Sequence, residues 1–305
     1  MDKKLRDEML HFYIMEAKKL GDIALSYHGN SDLGFEIKEG FVDDPVTAAD
    51  IKNELTVISD LKQEFGDKII ILSEESEFKY SKEEILKSKK PITIVDPLDG
   101  TLNFSNGKDD FCIILSQAQY FNGSYELTAS VVYKPITGEL FYATNDTDAF
   151  YEKGNIKKNL STSSNTNFTV NNTPVSIIGL NNTFQEGYVE KNNDLIKIIE
   201  SFRNSNRKIC DLNSKFSLGL ELMDIAKGDL DLYMVSKAAN WDYGSSLILT
   251  QAGGKGYRLR NQNSFIQPES WKLNLDNPTS YYPAFFTNGK IDEELFNYFK
   301  NHIIK

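Results

Sequence analysis

The stretch that most constrains this chain is Val95-Asp96-Pro97-Leu98-Asp99-Gly100-Thr101, which continues an apolar, β-branched run, Ile92-Thr93-Ile94-Val95. Such a run reads as a buried strand. Asp96 then falls at the strand's end, Pro97 fixes φ beyond it, and Asp99 follows within one tight turn. Gly100 frees the backbone to fold sharply or to approach a ligand. Two carboxylates held this close repel, and taking them out of water uncompensated is costly. A divalent cation resolves both problems. Oxygen donors with no His or Cys beside them suit magnesium rather than zinc. Taken alone, the stretch is equally an Asx-type turn in which Asp96 and Asp99 bond backbone amides. Acidic groups recurring at comparable places elsewhere weigh against that simpler reading.

The 305 residues suffice for a large core, in one large domain or two packed ones. A net charge of −10 argues against a nucleic-acid polymer or an anionic membrane as partner. A metal ion could still reverse the sign locally and admit a phosphorylated ligand. Cys112 and Cys210 lie far apart, with no disulfide framework or zinc spacing. Cys112 sits in a strand-like run and reads as a small buried hydrophobe. The start, Met1-Asp2-Lys3-Lys4, leads into an amphipathic stretch rather than an apolar signal core. No run is long enough to span a bilayer. A cytoplasmic location is the expectation.

Leu10, Tyr13, Ala17, Leu20 and Ala24 recur at helical spacing, which predicts a helix over about 5–27. Residues 28–45 read as a loop or short hairpin. Thr47 and Asp50 have capping-box spacing, and Ile51, Leu55, Ile58 and Phe65 continue a helical face, so Asp50 has a plain role as a helix cap. A strand over 68–72 runs into Ser73-Glu74-Glu75-Ser76. If it neighbours the strand at 92–95, Glu74 and Asp96 meet at one edge, where ligands commonly bind; otherwise Glu74 lies in a solvated turn. Strands over 111–119, 127–134 and 140–151 form an antiparallel meander around Asn122-Gly123 and Pro135-Ile136-Thr137-Gly138. From 155 to 172 the chain turns to Asn, Ser, Thr and Lys, which reads as a mobile excursion near a domain boundary.

Beyond it, a strand over 175–180 and a helix over 195–202 are expected. Phe216, Leu220, Met223 and Ala226 mark a further helix stopped by Gly228. A strand over 230–235 follows. Trp241-Asp242-Tyr243-Gly244 leads into a helix over 245–252 ended by Gly253-Gly254, which puts Asp242 at a helix N-terminus, a common capping place. A strand at 284–287 and a helix over 292–302 close the chain. The division expected is 1–160, an α+β unit carrying most of the acidic motifs, and 161–305, an α/β unit contributing Asp242.

Four segments in this order resemble the signatures of the inositol monophosphatase superfamily. They are Pro45-Val46-Thr47-Ala48-Ala49-Asp50, Leu72-Ser73-Glu74-Glu75-Ser76, the run from Val95 to Phe104, and Trp241-Asp242 with Gln251-Ala252-Gly253-Gly254. Separate helix caps and acidic turns would need four coincidences. The resemblance implies a layered αβαβα sandwich of mixed α/β (α+β) class, like that of the fructose-1,6-bisphosphatases. It implies two to three Mg2+ ions. Glu74, Asp96, Asp99 and Asp242 would be ligands, with the carbonyl of Leu98; Glu75 is the alternative one residue on. Asp50 would act on a third, weaker metal through a water. Thr101, backed by Asp50 or Glu74, would orient the attacking water, and the amides of Gly100 and Thr101 would hold phosphate oxygens. A metal-activated water then attacks phosphorus in line, with no covalent phosphoenzyme. His11, His28 and His302 lie away from every motif.

The resemblance implies a small phosphorylated metabolite as substrate and a homodimer as the family's habit. Inositol monophosphatases carry a glutamate seven residues before the last metal aspartate; here that position is Val235, and Ser236-Lys237-Ala238-Ala239 fills the gap. The interval from Thr101 to Phe111 is one residue longer than theirs and resembles the 3′(2′),5′-bisphosphate nucleotidases, whereas Gly100-Thr101-Leu102-Asn103-Phe104 resembles the inositol branch. Lys237 would meet a second phosphate, or stand as a solvated surface lysine. A bisphosphate nucleotide such as 3′-phosphoadenosine 5′-phosphate is favoured, inositol phosphate comes second, and a catalytically weak, regulatory phosphometabolite binder is the alternative of another class. On this reading Asp96→Asn folds normally and loses several orders of magnitude in rate. Steady-state phosphate release at saturating magnesium measures it, and near-normal turnover would refute the assignment.

Overall fold

The computed structural model describes residues 2–29, 36–37, 45–169, 175–178, 210–211, 215–258, 273, 275–276, 278–279 and 282–302. Two long helices open the fold, α1 (Lys3–Tyr27) and α2 (Ala48–Phe65). Between them β1 (Glu36–Ile37) pairs antiparallel with β2 (Pro45–Val46), the short hairpin expected of 28–45. A seven-stranded sheet follows, built from β3 (Ile70–Ser73), β4 (Ile92–Asp99), β5 (Cys112–Phe121), β6 (Ser124–Lys134), β7 (Glu139–Thr144), β8 (Phe150–Lys153) and β9 (Ile156–Asn159) in that spatial order. β3 and β4 run parallel, with α3 (Lys82–Ser88) on the crossover between them; every later pair is antiparallel. The short helix α4 (Thr101–Ser105) leaves the end of β4.

The second sheet has β10 (Val175–Ile178), β11 (Cys210–Asp211), β12 (Leu232–Ala238), β13 (Lys255–Arg258) and β14 (Tyr282–Thr287) in the order β11-β10-β12-β14-β13. Its helices are α5 (Leu218–Lys227), α6 (Asn240–Tyr243), α7 (Ser246–Gln251) and α8 (Asp292–His302). The helix expected over 195–202 lies outside the described residues.

Strand alternation explains the layering. Ile113 and Leu115 of β5, with Val131 of β6, face Met9, Tyr13, Ala17 and Leu20 of α1 and Val57 and Leu61 of α2. Cys112, Ile114 and Val132, one residue out of phase, face Leu222, Met223 and Ile225 of α5 and Ile248 and Leu249 of α7. Those middle helices bury their other side on Tyr233, Val235, Ala284 and Phe286 of the second sheet. Phe285, pointing the other way, meets Phe296 of α8 at 6.0 Å between ring centroids. The result is the αβαβα sandwich, with a helical layer shared by two sheets.

Three local expectations are corrected. The buried stripe of α2 runs through Asp50, Asn53, Val57, Leu61 and Phe65, while Ile51 and Leu55 are exposed. Polar residues begin that stripe because they serve the end of β4, so hydrophobic periodicity alone chose the wrong face. The strand read over 140–151 is two, parted by a turn at 145–148. And 155–169 is no loose excursion. Ile156–Asn159 forms β9, and the polar residues after it are pinned across both halves: the Leu160 amide donates to Ala149 O (2.8 Å), the Thr162 amide to Ala252 O (3.0 Å), and Thr162 Oγ1 to Asn288 O (2.9 Å). Residues 170–172 lie outside the described residues.

The knot of this connection is Asp231, buried just ahead of β12. Its carboxylate accepts from Ser163 Oγ, from Asn165 Nδ2 at 2.7 Å and from Asn288 Nδ2 at 3.0 Å. Asp231→Ala takes the shared acceptor from Ser163 Oγ and Asn165 Nδ2, while Asn288 Nδ2 keeps Ser163 Oγ and Asn165 O at 2.9 Å each, and it is expected to cost about 3 kcal/mol of stability with an unchanged denaturant slope, read from the urea midpoint.

Candidate active site

The acidic residues named from the sequence come together where β3 and β4 end and where α5 and α6 begin. In a regular strand, residues an odd number apart point to opposite faces, so Asp96 and Asp99 would diverge. They do not, because β4 is not regular there. Asp96 pairs with Ile114 and Asp99 with Cys112, three steps on β4 against two on β5. This bulge sits where Pro97 has no N–H to give the ladder. The strand thus runs on through Asp99 instead of ending at Asp96 in a turn, and the extra residue re-aims both carboxylates to one side. Carboxylate oxygens of Asp96, Asp99 and Asp242 all lie within 4.8 Å of one another.

Each carboxylate is also tied down. Asp96 Oδ1 accepts the Leu98 amide at 3.2 Å. Asp242, third residue of α6, accepts the Ala239 amide at 2.6 Å; the capping bond and the place in the cluster coexist. Asp99 is the most heavily held, accepting from Ser217 Oγ (2.6 Å), the Gly219 amide (2.7 Å), the Leu218 amide (3.2 Å) and the Cys112 thiol (3.4 Å). Its charge therefore caps the N-terminus of α5, where amides are free and the helix dipole favours an anion. Gly219 is required for this approach: a Cβ there would stand 2.9 Å from Asp99 Oδ2 and 2.8 Å from Cys112 Sγ.

Parallel pairing of Ser73 with Val95 carries Glu74 alongside Asp96, and the Glu74 amide donates to Val95 O at 3.2 Å. Burial first, then the charges of Glu74, Asp99 and Asp242, push the Asp96 carboxyl well above its usual range. Glu74 rather than Glu75 exerts this influence. Burial also raises Asp99, against the opposing pull of Ser217, Gly219, Cys112 and Leu218. Cys112 is buried as expected, but it is also a donor into the cluster.

Asp50 keeps its capping box on α2, accepting the Thr47 amide at 2.9 Å, and reaches further. Its Oδ1 lies 3.0 Å from Thr101 Oγ1, which also stands 2.9 Å from Leu98 O. Burial pushes the Asp50 carboxyl up to about 6, although Thr47 and Thr101 pull the other way. Gly100 turns the chain at φ +94°, and a Cβ there would meet Asp110 O at 2.8 Å. Val235 is buried in the core between the sheets. The side chain of Lys237 lies outside the described residues. His28, expected away from every motif, packs its ring on Phe104 and Phe111.

Sequence reasoning missed Asn53, whose Nδ2 donates to Pro97 O at 2.9 Å and holds the bulge from behind. It missed Asn103, which donates to Asp110 O (2.7 Å) and to Lys215 O. It also missed Ser217 and Gly219, whose only local signal was a Ser ahead of an apolar helical run.

The model of the inositol monophosphatase family matches residues 5–297. The fructose-1,6-bisphosphatase/inositol-1-monophosphatase of Thermotoga maritima is 26% identical over 247 residues, covering 81% of this chain and 83% of that protein. Among solved structures, the extragenic suppressor protein SuhB of Bartonella henselae superposes with a TM-score of 0.71 at 22% identity, covering 97% of this chain and 100% of that one. Staphylococcal IMPase-II with inositol monophosphate bound gives 0.67 at 20% identity over 97% and 95% of the two chains. With 2′AMP bound it again gives 0.67, at 18% identity over 97% and 94%. These likenesses establish the fold.

The raised Asp50 group has a consequence for stability. Its carboxyl holds a proton in the folded state up to about pH 6 but only to about 4 when unfolded. Stability therefore falls as pH rises through that window, by about 3 kcal/mol for this group alone. Metal-free Asp50→Asn should gain on the wild type by that order between pH 4 and 6, measured as the difference in urea midpoints in chelator.

Proposed function

The chain belongs to the inositol monophosphatase family, whose members are metal-dependent phosphatases, and from that premise we propose that it hydrolyses a nucleoside 3′(2′),5′-bisphosphate such as 3′-phosphoadenosine 5′-phosphate with magnesium at the acidic centre. The observation that carries the reading is the carboxylate trio of buried Asp96 and Asp99 and half-buried Asp242, within 4.8 Å of one another. Burial and mutual repulsion favour protons there when no cation is present, and oxygen-only donors fit a hard divalent ion. Glu74, Asp96, Asp99, Asp242 and the carbonyl of Leu98 would hold two to three Mg2+ ions. Bound there, magnesium supplies Lewis acidity toward phosphoryl and water oxygens.

The chain's own groups do the rest. Thr101 Oγ1 orients the attacking water. Asp50 acts through Thr101 as a positioning residue, and its elevated carboxyl accepts the proton Thr101 passes on at near-neutral pH; Glu74 is the alternative for this role. The amides of Gly100 and Thr101 orient phosphate oxygens, and Lys237 meets the second phosphate. No histidine is needed.

Val235 supports the nucleotide over inositol, since a valine buried in the core gives polyol hydroxyls no carboxylate. That 2′AMP binds the staphylococcal relative also accords with it. Inositol phosphate is the second reading, favoured by the same relative's inositol monophosphate complex. Phosphate release from a panel of phosphomonoesters separates them. The expected outcome is about tenfold or greater kcat/KM for the bisphosphate nucleotide over inositol 1-phosphate, abolished by chelation. The reverse ranking establishes the inositol reading, and metabolite binding without release on any ester establishes a regulatory binder.

A further inference from the structure

Phe216 stands out beside the acidic centre. Periodicity predicts it on the helical face with Leu220 and Met223, yet α5 begins only at Leu218, with Ser217 as its N-cap. Phe216 instead precedes the cap, at φ +47° and 42% exposed. A left-handed backbone is uncommon for a bulky residue, and such strain persists where the surroundings impose it. An apolar residue just ahead of an N-cap usually packs on the fourth helical residue. Here that residue is Glu221, a buried acid.

The surroundings place Phe216 at the site's rim. Ser217, the next residue, donates to Asp99 at 2.6 Å. Lys215, the one before, accepts from Asn103 of α4 through its carbonyl. A Cβ on Gly100 would stand 3.2 Å from the Ser217 Cβ, so the backbone carrying Phe216 lies against the Gly100 turn. Phe216 is thus anchored on both sides by groups of the centre, with its ring partly in solvent.

We propose that Phe216 is a specificity-determining residue, whose ring stacks on a planar aromatic group carried by the phosphate ester, a nucleobase in the natural substrate. This deepens the nucleotide reading above and rests on it for the identity of the ring. Aromatic side chains stack on any base without needing its hydrogen-bond pattern. Polyol phosphates offer no such face, so the ring discriminates between the two substrate classes at the same carboxylates.

The test compares kcat/KM on 3′-phosphoadenosine 5′-phosphate, 2-naphthyl phosphate and 2-glycerophosphate for the wild type, Phe216→Gly, Phe216→Leu and Phe216→Trp. Glycine suits the left-handed backbone, and leucine keeps apolar bulk without a ring should the glycine variant fold poorly. The aromatic-to-glycerol ratio is expected to fall about tenfold in the Gly and Leu variants, through KM and not kcat, and to be kept by Trp. An unchanged ratio, or no wild-type preference for either aromatic ester, overturns the proposal. If the nucleotide is not hydrolysed but the naphthyl preference still depends on Phe216, stacking stands and the nucleotide reading falls. If the nucleotide is preferred and its KM ignores Phe216, the nucleotide reading stands and stacking falls.

Discussion

Like charges forced together out of water govern this structure. Asp96 and Asp99 are buried, Asp242 is half-buried, and Glu74 adds its charge to Asp96. Left to themselves such groups separate or take up protons. Here the backbone forbids separation, because each is gripped by amides or hydroxyls: Asp96 by Leu98, Asp242 by Ala239, Asp99 by Ser217, Leu218 and Gly219. The remaining lone pairs converge on a shared centre that a cation would satisfy. Strain of this kind is tolerated where it serves a site, and the rest of the fold holds it in place.

The architecture supplies that hold through its middle helical layer. α5 presents its N-terminus to Asp99, a residue of the first sheet, while its apolar side joins both sheets. The centre is therefore closed by both halves of the chain, and neither half alone carries it. Asn53 from α2 steadies the bulge from the opposite face. Rigid elements on both sides fix the carboxylates more closely than loops could.

Much of this was legible in the residues. The cap at Thr47–Asp50 was visible as local spacing and exists; Asp242, read as a cap of the helix after it, instead accepts the Ala239 amide as third residue of a separate short helix. Their local meaning competed with their chemical one, and the structure keeps both, since a carboxylate has two oxygens and a cap uses one. Other features misled. Polar residues on the buried stripe of α2 hid which face packs, because Asp50 and Asn53 look like solvent positions until the end of β4 is laid against them. The polar run after 155 resembled a loose segment because its partners, Asp231 and Asn288, lie far along the chain.

By itself the sequence determined which acids are present, many of the strands and helices, and the family to which they belong. These follow from local spacing, β-branching, caps and short motifs, all short-range properties of the chain. The tertiary structure alone decided that Asp96 and Asp99 share one side, that Asp99 caps a helix more than a hundred residues away, and that Phe216 stands at the rim rather than on the helix. Such outcomes depend on interstrand register and on contacts between distant segments, and the energy that selects them appears only when the two sheets close on the helices between them.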